Sequence, residues 1–227
     1  MKTNSTSRRN FIGTIAAGAT AGMYGISGPV IAGTQPEAVF ADDDPEAWFN
    51  KINGKHRLVF DVTRPHEVFP FAWPKVFLMT NEATGTPEKE CSAVVVLRHD
   101  GIPYAFGDKL WASYGFGEMF KINDPKTSAP SKRNPMWMPK EGDFAVPGIG
   151  NVAIGINELQ ASGVMFCVCD MAITVYSAVA AGSMKKDPAE VKKEWLGALL
   201  PGIQVVPSGV WAVGRAQEKG CGYCFTG

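Results

Sequence analysis

The stretch that decides the fold is "GVMFCVCDMA", Gly163 to Ala172. From Val164 to Cys169 it is an unbroken apolar run, too short for a helix and bounded by Gly163 and Asp170. Such a run reads as a strand buried on both faces. Asp170 can cap the helical pattern "MAITVYSAVAAG" that follows, so strand passes into helix with no loop between. Cys167 and Cys169 lie two residues apart, and strand alternation predicts that both point to one face. There they could be packing, a metal clamp or a reactive thiol.

Working outward, the same alternation of short apolar runs and helical spacings recurs. Upstream, "DPEAWFNKI" reads as an opening helix with Asp44 as N-cap and Pro45 in the first turn. "HRLVFDV" is a core strand. "FAWPKVFLMTNEATG" is a helix in which Pro74 must lie in the first turn or break it. "CSAVVVLRH" is a second strand, apolar on both faces, and "GDKLWASYGFGEMFKI" forms a helix. The chain from Asn123 to Gly150 is crowded with Pro, Gly, Lys and Ser, an insertion of the kind used as a lid, a binding loop or an oligomer contact. "IGNVAIGINELQASG" resumes helical spacing and ends at Gly163.

Downstream of the deciding stretch, "DPAEVKKEWLGALL" is a helix opened by Asp187 and Pro188. "IQVVPSG" is a strand, "VWAVGRAQEKG" a helix and "CGYCFTG" a tail. This order predicts a three-layer α/β sandwich with a mostly parallel sheet of about five strands. Ligands of such sheets bind beyond the carboxyl ends of strands, at the topological switch point. His99, Cys169 and Ser208 all fall at predicted strand ends.

The 227 residues carry 22 basic and 22 acidic side chains, a balance that argues against nucleic acid as a general partner. A hydrophobic share of 45% suits a packed core. The N-terminus, "NSTSRRNFIGT", places Arg8 and Arg9 ahead of a weakly hydrophobic run that glycines and Pro29 interrupt. "AVFADDD" offers Val39 and Ala41 to a signal peptidase, with Asp42 as the first mature residue. The expectation is a twin-arginine signal over 1–41, export to the periplasm, and a mature domain over 42–227. That mature part should have no permanent membrane span, since no later stretch reaches about 18 uninterrupted apolar residues.

Together "GVMFCVCDMA", "LLPGIQVVPSGVWAVGRAQEKG" and "HRLVFDV" resemble the DsrE/DsrF-like group, which includes sulfur-relay subunits. The similarity runs from about His56 to the end, interrupted by the insertion. The resemblance implies a flavodoxin-like sandwich, assembly as trimers or hexamers, and a partner that carries a thiol or sulfur. It also implies a cysteine that accepts and passes on a persulfide.

The residues that could carry such chemistry each have a plainer use. Cys169, at a helix N-terminus, can have its thiolate stabilised, although Asp170 opposes this; otherwise it is a small buried residue. Cys167 sits one pleat deeper, and a disulfide between the two would be strained. Cys221 and Cys224 have Cys-X-X-Cys spacing, suited to a disulfide, a redox couple or a metal. With Cys167 and Cys169 they make a four-thiol set that zinc or an iron–sulfur cluster would accept. Cys91, the fifth thiol, reads as core.

Arg98 could hold an anion, and His99 with Asp100 could serve acid–base work or ligation; a lone strand-end histidine is also a common hydrogen-bonded structural residue. Ser208 can cap the last helix or help its N-terminus bind an anion. Met136 and Met138 around Trp137 suit a hydrophobic lid or subunit contact better than Cu(I). The leading expectation is sulfur or thiol exchange at Cys169, with Arg98 and His99 at the rim, the tail cysteines Cys221 and Cys224 resolving or shielding the thiol, and no cofactor required. The alternative is a non-catalytic periplasmic protein that binds a metal or small ligand.

Overall fold

The computed structural model describes residues 44–146 and 149–227. The expected twin-arginine signal over 1–41 and its expected cleavage point lie outside them. No described helix is long and apolar enough to cross a membrane.

The described residues form an α/β sandwich around a five-stranded sheet in the order β6-β5-β2-β1-β7, every pair parallel. Its strands are β1 (His56–Val62), β2 (Cys91–Leu97), β5 (Met165–Cys169), β6 (Ile203–Val206) and β7 (Gly222–Phe225). A small antiparallel pair, β3 (Ala145–Val146) with β4 (Gly150–Asn151), stands apart in the insertion. The helices are α1 (Pro45–Trp48), α2 (Phe69–Ala83), α3 (Asp108–Tyr114), α4 (Phe116–Met119), α5 (Ile156–Ala161), α6 (Asp170–Met184), α7 (Pro188–Leu196) and α8 (Gly209–Glu218). The three layers are flavodoxin-like, as expected; the place beside β1 at the sheet's edge is taken by β7, the last of the strands.

Chain direction explains which face each helix covers. From β1 to β2, β5 and β6 the strands are laid down in one sense across the sheet, and right-handed crossovers then keep their connections on one face. After β6 the chain reverses and returns past the whole sheet to β7, which sends α8 across the opposite face. The two faces carry separate cores. The larger one joins Phe60, Val95, Phe166 and Val168 to rings such as Phe71, Trp111, Phe116 and Trp195. The smaller one packs Val59, Val94, Val96 and Cys167 against Trp48, Phe49, Ala212 and Ala216. The central strands β1, β2 and β5 are buried on both faces because both cores claim their alternate residues.

Four elements differ from the sequence expectation. Pro74 lies inside α2, in its second turn, and the helix continues through it. Its missing N–H costs one ladder bond, and its ring is buried in return. The pattern "GDKLWASYGFGEMFKI" is two short helices, because Gly115 adopts φ +62° and ends α3 before α4 begins. Helix α5 starts only at Ile156; Gly150 and Asn151 belong to the hairpin instead. The tail is a strand, β7, paired with β1 from Leu58↔Gly222 to Asp61↔Phe225.

The insertion is irregular but tied down. Asn134, fully buried, donates from Nδ2 to the carbonyls of Tyr104 at 2.8 Å and Phe106 at 3.0 Å, while its Oδ1 accepts from Met136 N at 3.0 Å. Arg133 bridges Asp124 at 2.9 Å and Asp143 at 3.2 Å, and Lys126 meets Asp143 at 2.8 Å. Burial alone would raise the Asp143 carboxyl, but Lys126, the Lys140 N–H and Arg133 together hold it down to about 2. Met136 is buried and Met138 exposed, so the two thioethers do not face one ligand.

Candidate functional site

The connection of β5 runs to one face of the sheet and that of β6 to the other. This is the switch point of the sheet. Cys169 is the last residue of β5 and the N-cap of α6; beside it, Ser208 caps α8. The two helix starts therefore flank one sulfur.

Cys169 Sγ accepts the Ala172 N–H at 3.3 Å. The backbone N–H groups of Met171 and Gly209 also act on it, one from each helix start. Strand alternation predicts Cys169 on the same side as Cys167, yet it packs with the larger core and Cys167 with the smaller. Cys169 is still extended, at φ −75° and ψ 110°, and stands opposite Val206 where β5 passes into α6. Only 6% of it is exposed. Burial raises its thiol pKa and outweighs the three N–H groups that lower it, with Asp170 adding to the rise. The expected lowering at the helix start is thus present but is not the dominant effect. Asp170 itself is held by Lys192 of α7 at 2.9 Å.

Arg98, just past β2, lies beside the start of α8. It donates from Nε to Asp61 Oδ1 at 2.6 Å and from its Nη2 to Asp61 Oδ2 at 2.9 Å, a fork that keeps the guanidinium charged. Leu97 stands opposite Val168 in the β2–β5 ladder, so Arg98 and Cys169 are the next positions beyond that pair. Gly209 makes this approach possible: a Cβ there would stand 2.4 Å from Arg98 Cβ and 2.6 Å from its Cδ. Tyr223, on β7, donates its hydroxyl to Asp61 Oδ2 at 2.8 Å. Asp61 and Tyr223 were not found from sequence. Asp61 did leave a signal, a carboxylate inside the apolar strand "HRLVFDV"; Tyr223 left none, because the tail did not read as a strand.

Other candidates are placed elsewhere. His99 adopts φ +49° in the 3₁₀ turn after β2, and its half-exposed ring lies 3.2 Å from Asp100 and edge-on to Tyr176. Asp100 in turn accepts from the Tyr176 hydroxyl. His99 and Asp100 thus both face Tyr176 of α6. Ser208 is an N-cap, its Oγ accepting from Trp211 N at 3.2 Å.

The four-thiol set does not converge. Cys221 and Cys224 straddle the start of β7, three strand spacings or roughly 14 Å from β5. An offset of three residues also turns them to opposite faces: Cys221 joins the smaller core and Cys224 packs against the larger. All five cysteines are free, and no group of three or more His, Cys, Asp or Glu among the described residues is arranged to hold a metal ion. Burial pushes the Cys221 thiol up to about 11 despite Arg57 and raises Cys224 and Cys167 as well. Cys91, half-buried at the start of β2, is raised by burial and by Glu90 and Glu88.

No family model matches the chain, and no curated protein matches it. Among solved structures the chain is similar to a protein of unknown function from Methanobacterium thermoautotrophicum, at 18% identity and a TM-score of 0.37, over 75% of this chain and 98% of that one.

Proposed function

We propose that this is an exported DsrE/DsrF-like protein that handles sulfur or exchanges thiols at Cys169, working as a homo-oligomer with a partner that carries the thiol or sulfur. The single observation behind the reading is a sulfur at the switch point of a parallel sheet, ringed by N–H groups from two helix starts and by Arg98. Such a setting favours charge that appears on sulfur during a reaction, even where the resting thiol stays protonated.

With a persulfide donor, Cys169 Sγ bonds to the donor's outer sulfur. The donor's S–S bond breaks and its electron pair leaves on the inner sulfur. The Cys169 proton ends on that leaving thiolate, so the products are a Cys169 persulfide and the donor's thiol. Arg98 and the N–H groups meet the negative charge passing through the switch point.

The test is intact-mass analysis after incubation with an alkyl persulfide. One added sulfur atom is expected on the native protein and none on Cys169→Ser, where serine preserves the helix cap. The same increment on both proteins removes Cys169 from the reaction.

A further inference from the structure

Asp61 is out of place by the logic of its strand. It is 1% exposed, on the face shared with Val59, Val94 and Val96, yet it carries a charge there. A buried ion pair seldom stabilises a fold more than apolar side chains of similar volume would, so the Asp61–Arg98 pair calls for another use. Three elements converge on Asp61. Arg98 forks onto its carboxylate from the end of β2, and Tyr223 donates to the same group from β7. Thr226, just past β7, gives both its N–H and its hydroxyl to the Asp61 carbonyl, at 3.1 Å and 3.0 Å. The carboxylate is thereby fixed in direction, and so is the guanidinium it grips. The aliphatic stem that carries this guanidinium lies along Gly209, whose N–H acts on Cys169.

We infer that Asp61 is a positioning residue for Cys169: it holds the Arg98 guanidinium at the switch point, and Tyr223 makes the edge strand part of the site. This rests on the reading of Cys169 as the reacting group. The charged and titratable groups near that sulfur are Arg98 from the end of β2, Cys167 from β5 and Asp170 from α6 with its partner Lys192 from α7; Asp61 of β1 and Tyr223 of β7 reach it through Arg98, and α8 contributes the Gly209 N–H.

The test is the pH profile of Cys169 alkylation by iodoacetamide, located by peptide sequencing, in the native protein, Asp61→Asn, Arg98→Gln and the double variant. If Asp61 acts by holding Arg98, either single change moves the midpoint up by roughly one pH unit. The double variant then goes no further, because both changes remove the same cation. A downward shift for Asp61→Asn overturns the inference, since it means that Asp61 contributes only its own negative charge. An unmoved midpoint with lowered stability, or additive shifts, also overturns it.

Should Asp61→Asn fail to fold, Tyr223→Phe, which removes one half-exposed hydroxyl, is expected to give a smaller upward shift; no shift or a downward one rejects the inference. Alkylation does not depend on sulfur transfer. A shift in a protein that takes no sulfur from persulfide keeps the positioning role and rejects the transfer chemistry.

Discussion

At the scale of single residues, the packing of the candidate site depends on atoms that are absent as much as on those present. Gly209 has no Cβ, and Arg98 occupies the space one would fill. Alanine at the first position of α8 would ordinarily suit a helix. Gly209→Ala is nevertheless expected to cost about 1–3 kcal/mol, as overpacking does, and to drive Arg98 from the switch point. Urea unfolding measures the first effect and the Cys169 alkylation rate the second; a variant as stable and as reactive as the native protein would contradict the close approach. Legibility at this scale was uneven. Cys169 and Ser208 could be read because their roles depend on the strand-to-helix boundary, which local pattern reveals. Tyr223 could not, since its role depends on a pairing 162 residues away in the chain.

At the scale of elements, the insertion is the part whose sequence most resembled a loose loop. Its composition records the absence of regular hydrogen-bond ladders, but not the partners that replace them. Asn134 and the Arg133–Asp143–Lys126 cluster supply those partners through side chains, which no periodicity reports. The cluster sets a pH dependence. Asp143 has its folded-state pKa depressed from 3.8 to about 2. Its contribution to stability is therefore full above the unfolded value and is lost as pH falls from about 4 towards 2. Asp143→Asn should cost on the order of 2 kcal/mol at neutral pH and almost nothing at pH about 2. Denaturant titrations of both proteins at the two pH values check this, and an equal difference at both would refute it.

At the scale of the whole molecule, the described residues are distributed unevenly about the sheet: one face bears most of their helices and the insertion, the other α8 and the opening turn. The sequence order of strands and helices was enough to give the layers. It could not give the neighbour of β1, because β7 is four residues long and holds one glycine, one tyrosine, one cysteine and one phenylalanine, with no alternation to betray it. Stability should grade across the sheet accordingly. Amides of Val94–Val96 and Phe166–Val168, paired on both sides and buried on both faces, are expected to exchange slowest with deuterium. Those of β7 should exchange sooner, and those of the β3–β4 hairpin first. Mass-resolved exchange that found the hairpin as protected as the centre would contradict this grading.

The late edge strand also bears on how the protein is made. A ribosome releases β1 long before the residues that will complete its pairing, so one flank of a nascent core strand stays bare until β7 emerges. Closure then waits on a contact of very long sequence separation, the kind that slows folding. Chaperone shielding of the β1 segment during translation is the corresponding need of the cell.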